Sequence, residues 1–272
     1  MQPTTAAEQP KQPIDGVRYL IAVGSGKGGV GKTTVAVNLA ISLTRLGHCV
    51  GLMDADVYGP NVPLMMGVNE TPHAAGNRIQ PLEKGGIKLL SMGFLNPGDK
   101  PLVWRGPMLH SVIQQFLRGT DWGRLDYLVI DLPPGTGDVA LSLIQTAPLS
   151  GAVIVTTPSD VSLEDARKAI NMFHQVRVPI LGLVENMSYL IAPLSKERID
   201  VFGTGGGRRT ADQMGVHFLG ELPLDPAIRI GGDSGQPVAW NDMPEFVELA
   251  RRTTARLEET SAQTGPSITI SE

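Results

Sequence analysis

The stretch that decides the fold runs from Arg18 to Thr34, "RYLIAVGSGKGGVGKTT". It opens as an apolar run with β-branched residues, passes through a glycine-rich segment and leads into "VAVNLAISLTRLG", a helix-like pattern that ends at a glycine. Strand, glycine-rich loop and helix, in that order, are the context in which G-x-x-x-x-G-K-[ST], here Gly26 to Thr33, signals a phosphate-binding loop. Glycine lets the backbone curl so that successive N–H groups face a phosphate, and the helix start adds its partial positive charge. Gly26, Lys27, Gly28, Gly29, Val30, Gly31, Lys32, Thr33 and Thr34 are therefore the expected nucleotide-binding residues. Lys32 should meet the β- and γ-phosphates, and the Thr33 hydroxyl should ligate Mg²⁺.

Beyond this stretch, short apolar runs recur at "CVGLMD", "YLVIDL", "GAVIVTT", "PILGLVEN" and "HFLGELP", most of them separated by helix-length segments. Near-continuously apolar strands alternating with helices predict an α/β fold, a mostly parallel sheet with helices on both faces. "RIQPLEKGGIKLLSMG" reads as a hairpin around Gly85 and Gly86, inserted before the helix in "PMLHSVIQQFLRG". No internal repeat or second core appears. Residues 1–16 and 257–272 are expected to be flexible tails, leaving one domain over 17–256.

The 272 residues are 42% hydrophobic and 18% charged, which suits one α/β domain with a sizeable core. A net charge of -4 without a dense Lys/Arg block argues against nucleic acid as a partner. No apolar run approaches the roughly 20 residues needed to span a bilayer, and the first residues lack the order of a signal peptide, so no membrane role and a cytoplasmic location are expected. The one cysteine, Cys49, excludes an intramolecular disulfide and reads as a small buried hydrophobe.

Two further strand ends carry carboxylates. After "CVGLMD" come Asp54 and Asp56, at the edge of a parallel sheet where ligands bind, although aspartate pairs also serve as caps and turn formers. "LDYLVIDLPPGTGD" ends a strand at Asp131, which matches a Walker B aspartate holding Mg²⁺; Gly135 and Gly137 give the following loop a switch's freedom. A helix-capping role for Asp131 is the alternative, for which Asp138 is better placed.

The string "GKGGVGKT", with its early lysine Lys27, resembles the deviant Walker A motif of SIMIBI-class P-loop ATPases such as MinD and ParA. That resemblance implies that Lys27 reaches across a dimer to the partner's nucleotide, the alternative being a solvated loop lysine. It also implies that Asp56 orients or deprotonates the attacking water and that Asp54 joins the Mg²⁺ and switch network. The catalytic set is then Lys27, Lys32, Asp56 and Asp131, and the metal set Thr33, Asp54 and Asp131.

Together with "VWRGPM" (103–108), "ENMS" (185–188), "FGTGGG" (202–207) and "GELPLDPAIR" (220–229), these residues closely resemble the Mrp/ApbC family of iron–sulfur cluster carrier ATPases. The resemblance implies an ATP- and Mg²⁺-dependent homodimer that serves apo iron–sulfur proteins. It also implies that Asn186 reads adenine, unless it is only a loop asparagine, and that the loop around Pro223 and Asp225 borders the base. Members typically carry a C-x-x-C pair between "ENMS" and "FG-x-GGG" that holds a bridging [4Fe–4S] cluster. Here "APLS" puts Ala192 and Ser195 at those positions, and neither side chain replaces a thiolate.

Three readings remain. The chain is a natural homologue without its own cluster ligands, an engineered variant, or an assembly factor using a partner's ligands; the first is preferred. A MinD/ParA-like ATP-switched spatial regulator is the rival function. It would need a basic amphipathic terminal helix or a basic cluster, and "GGRRTAD" is only a hint of the latter.

Overall fold

The computed structural model describes residues 11–95 and 106–263. The first part of the "VWRGPM" motif, residues 103–105, and the terminal segments 1–10 and 264–272 lie outside the described residues.

The elements in chain order are β1 (Val17–Ser25), α1 (Lys32–Arg45), β2 (Val50–Asp54), α2 (Val62–Met65), β3 (His73–Ala75), β4 (Arg78–Gln80), β5 (Leu82–Lys84) and β6 (Ile87–Ser91). After them come α3 (Gly106–Arg118), β7 (Leu125–Asp131), α4 (Asp138–Thr146), β8 (Gly151–Thr156), α5 (Asp160–Gln175) and β9 (Ile180–Ile191). The chain closes with β10 (Arg198–Ile199), α6 (Gly206–Met214), β11 (Phe218–Pro223), α7 (Pro226–Asp233) and α8 (Pro244–Gln263).

The main sheet has the order β10-β9-β8-β1-β7-β2-β6-β5, with β11 also paired to β9. Its core pairs are parallel, while β5 on β6 and β10 on β9 are antiparallel. β1 lies in the middle because its apolar run feeds two cores at once. Leu20 and Ala22 face the side covered by α3, α4, α5 and α6, while Ile21 and Val23 face α1 and α8. All six apolar runs read from sequence are strands of this sheet. The Gly85–Gly86 turn does join a hairpin, but its second limb, β6, continues the main sheet beside β2.

Three expectations need correction. Residues 11–16 are not a free tail. Ile14 is buried, the Lys11 ammonium donates to the Ile144 carbonyl at 2.7 Å, and the Arg118 guanidinium donates to the carbonyls of Gln12 and Pro13. Burying an isoleucine stabilises by roughly 1.5–3 kcal/mol, and the three hydrogen bonds add to it against the entropy of ordering the segment.

The C-terminal helix passes the expected boundary at residue 256 and ends at Gln263. Phe246, Leu249, Ala250, Thr253 and Leu257 form its buried stripe; a threonine in that stripe and only Leu257 and Ala262 as apolar residues beyond Arg256 hid the period.

Cys49 is exposed rather than buried. The buried run begins one residue later at Val50, and Cys49 sits in the short link between the turn after α1 and β2, where its N–H donates to Asp126 Oδ2 at 2.8 Å.

Candidate nucleotide site

From β1 the chain crosses to β2 on one side of the sheet, and from β7 it crosses to β8 on the other. The strand ends at this reversal open a crevice, and the loop Gly26–Gly31 fills its floor. Gly29 and Gly31 have φ of 80° and 78°, the left-handed region that disfavours a side chain. Close approach adds to this: a Cβ on Gly26 would lie 2.0 Å from the Asp165 carbonyl oxygen, and one on Gly31 would lie 2.2 Å from Asn186 Nδ2. The loop is thus packed against α5 and β9. The Val30 side chain is buried, and its carbonyl accepts from Asn186 Nδ2 at 2.9 Å.

Lys32 and Thr33 open α1, and Asp131 closes β7. Lys32 Nζ is 2.5 Å from Asp131 Oδ1, and the Thr33 hydroxyl donates to Asp131 Oδ2 at 2.7 Å. Burial pushes the Asp131 carboxyl above the ordinary carboxylate range, opposed by the Lys32 ammonium and by both hydrogen bonds. A hard oxygen pair of hydroxyl and carboxylate beside a lysine fits Mg²⁺ and phosphate chemistry. Asp131 does not cap α4, whose N-cap is Gly137; Asp138 lies in the helix's first turn without a capping side-chain bond.

Asp54 and Asp56 part company. Asp56 lines the crevice, and its Oδ1 accepts from the N–H groups of Tyr58 and Gly59. Asp54 is fully buried beside Asp131 in the β2–β7 register. Its Oδ1 accepts from the Asp56 N–H, and its Oδ2 accepts from the Val62 N–H and from the Ser91 hydroxyl at 2.8 Å. Burial first, then the Asp131 charge, raise its pKa to about 7. Asp54 is therefore tied to the loop that carries Asp56, and Ser91 at the end of β6, which sequence reading missed, holds it there.

The crevice has a volume of about 450 Å³, within the range of small-molecule sites. The half-buried Lys27 borders it, as do Gly28, Gly29, Gly31, Lys32, Thr33 and Thr34. Asn186, Pro223 and Asp225 form the far wall, with Asp225 capping α7 through the Ala227 N–H at 2.7 Å. Sequence reading missed Met65 on α2, Met187 on β9 and Ile228 on α7, which add apolar surface on that side. Met187 and Ile228 carried a local signal, their places inside "ENMS" and "GELPLDPAIR"; Met65 carried none.

Beyond the crevice β9 runs on to Ile191 and turns through Ala192–Glu197 into β10. Ala192 N–H donates to the Glu197 carbonyl at 2.9 Å, and the Ser195 hydroxyl donates to Glu197 Oε2 at 3.1 Å. Ala192 and Ser195 thus sit at a hairpin tip whose Leu194 is 97% exposed. Cys49 precedes β2 and so lies at the opposite edge of the sheet. Among the described residues, no group of three or more His, Cys, Asp or Glu is placed to hold a metal ion, and no helix is long and apolar enough to cross a membrane.

The parallel sheet, the glycine-rich loop and the Lys32–Asp131 pair define a P-loop NTPase with a deviant Walker A loop. A model of the ParA group described as the NUBPL iron-transfer P-loop NTPase matches residues 16–256, and the chain belongs to that family. It is 53% identical over 253 residues to an iron-sulfur cluster carrier protein of Deinococcus radiodurans, covering 92% of this chain and 71% of the relative. Two other bacterial carriers that it matches are spanned over 64% and 66% of their length. A nucleotide-binding protein from Archaeoglobus fulgidus, solved in complex with ADP, is similar with a TM-score of 0.76 and 37% identity, over 85% of this chain and 92% of that one. MinD of Pyrococcus horikoshii, complexed with Mg-ADP, is similar with a TM-score of 0.63 and 25% identity, over 92% of this chain and 98% of that one.

Proposed function

We propose that the chain is a Mg²⁺-dependent ATPase of the iron–sulfur carrier type, working as a homodimer and lacking cluster ligands of its own. The observation that carries this reading is the convergence of Lys32, Thr33 and Asp131 under the glycine loop. Thr33 and Asp131 would hold Mg²⁺, which when bound neutralises charge on the phosphates. Lys32 exchanges its carboxylate partner for phosphate oxygens, and the loop N–H groups cradle them.

Asp56 takes the water-orienting role. Its Oδ1 is anchored by two backbone N–H groups, while Oδ2 carries no hydrogen bond among the described residues and stays available for a water. Water attacks the γ-phosphorus as the bond to the ADP oxygen breaks, and Asp56 accepts a water proton. Lys27, which pairs with no acidic group among the described residues, is the cation for the partner's site. Asn186, held by Val30, is the base-reading amide, with Pro223 and Asp225 at its side.

Carrier clients, by analogy with the named relatives, are apo iron–sulfur proteins. A cluster is cargo that this chain's hairpin does not ligate, since methyl and hydroxyl groups stand at Ala192 and Ser195. The cytoplasm is the compartment this reading assumes, because a single cysteine gives no intramolecular disulfide that would need an oxidising one. Nucleic acid and membrane are not partners in it.

Phosphate release from ATP tests the reading. Wild-type protein should turn over with Mg²⁺ and stop with EDTA, and Asp56→Asn should bind ATP but lose hydrolysis by about 10²-fold or more. Mixing Lys27→Ala with Lys32→Ala chains should restore part of the activity if Lys27 acts in trans. Undiminished turnover in Asp56→Asn would contradict the assignment.

A further inference from the structure

Glu185 is a fully buried carboxylate that the nucleotide chemistry does not use. Its Oε1 accepts from the Ser188 hydroxyl at 2.6 Å, and its Oε2 accepts from the Gly207 N–H. No basic side chain pairs with it among the described residues, so the first turn of α6 and one hydroxyl supply its hydrogen bonds. The glycines permit this approach: a Cβ on Gly207 would lie 2.8 Å from Glu185 Oε2, and one on Gly206 would lie 2.5 Å from Leu163 Cδ1.

Ser188 and Gly207 are the two limbs of one excursion. The chain leaves through Ser188, forms the β9–β10 hairpin, and returns through Gly206 and Gly207 into α6. One carboxylate therefore fixes both ends of its base. The next residue along β9, Asn186, is bonded to the Val30 carbonyl inside the phosphate loop. Between Asn186 and Ser188, Met187 sits at φ 53°, a left-handed conformation held by bonds on either side. The excursion also carries five large exposed apolar residues: Ile191, Leu194, Ile199, Val201 and Phe202.

We infer that Glu185 is a positioning residue that couples the phosphate loop to this hairpin, so that nucleotide at the loop changes how the hairpin is held. A shift of Val30 on phosphate binding moves Asn186, and the adjacent Glu185 passes it to Ser188 and the α6 N-terminus together. The inference rests on the nucleotide site proposed above.

Limited trypsin cleavage after Lys196, at the exposed hairpin tip, reads the coupling directly. Cleavage rates are compared without nucleotide, with Mg-ADP and with a non-hydrolysable Mg-ATP analogue, and analogue binding is titrated on the same samples. Wild type should show a rate difference of roughly fivefold or more between the free and analogue-bound states. Glu185→Gln should bring that difference below about twofold while analogue affinity stays within about threefold. Ser188→Ala, which keeps the carboxylate and the α6 contact, is a milder second variant and should give an intermediate difference.

A wild-type-sized difference in both variants would overturn the coupling. So would a wild type that binds the analogue and cleaves at one rate in every state. Absence of analogue binding would instead strike the nucleotide reading itself.

Discussion

Lys32 Nζ lies 2.5 Å from Asp131 Oδ1, and the side chains are 6% and 0% exposed. The lysine that the motif assigns to phosphate and the aspartate that it assigns to Mg²⁺ neutralise each other inside the crevice. In the proposed cycle, nucleotide binding replaces one buried pairing by another, which keeps the desolvated charges compensated throughout.

That relationship predicts an asymmetric response to mutation. In nucleotide-free protein, Lys32→Met leaves Asp131 buried without its cation and should lower stability by about 3–5 kcal/mol. Lys32→Met with Asp131→Leu should recover most of that loss, because no uncompensated charge remains. Urea unfolding checks both, and a double variant as unstable as the sum of the singles would contradict the pairing.

Asp54 predicts a pH dependence. Its folded pKa of about 7 stands above the ordinary value of 3.8, so between these the folded chain keeps a proton that the unfolded chain has released. Its contribution to stability therefore falls as pH rises through that window and levels off above it. Urea midpoints of nucleotide-free protein at about pH 5 and about pH 8 should show a smaller pH-dependent loss in Asp54→Asn than in wild type. An identical pH slope in the two proteins would refute this origin.

Gly31→Ala should damage the loop in two separable ways. A left-handed non-glycine costs of order 1–3 kcal/mol, and the new methyl would collide with Asn186 Nδ2. Adding Asn186→Ala removes the collision and leaves the backbone strain, so the double variant should be less destabilised than the sum of the singles. Strict additivity in a double-mutant cycle would mean that the contact is not felt.

Cys49 should react as an exposed thiol. Titration of the native protein with a chromogenic disulfide should consume one thiol per chain without denaturant, and Cys49→Ser should change stability by less than about 0.5 kcal/mol. A thiol that reacts only after unfolding would return it to the core.

The legible features were those written in contiguous residues. β1, β2, β7 and β8 read as apolar runs because strands buried on both faces cannot alternate, β9 and β11 because at least half of each is still buried, and Gly26–Thr33 carries its geometry in its spacing. Features that depend on distant partners stayed hidden. Ser91 reaches Asp54 across 37 residues and Gly207 reaches Glu185 across 22, and nothing local marks either pairing. β10 is two residues long, Arg198 and Ile199, too short for any period, so the hairpin that displays Ala192 and Ser195 read only as a loop. Lys32 and Asp131 were both found, but as ligands of phosphate and metal rather than of each other.

We propose a nucleotide-hydrolysing member of an iron–sulfur carrier family that offers no cluster ligands of its own. Anaerobic reconstitution of the purified protein with iron and sulfide, with and without Mg-ATP, followed by desalting, iron counting and visible absorption, decides between a cluster-free and a cluster-bearing chain. ATP binding with no stoichiometric iron and no cluster absorption is expected in either condition. A stable cluster retained in stoichiometric amount would contradict it.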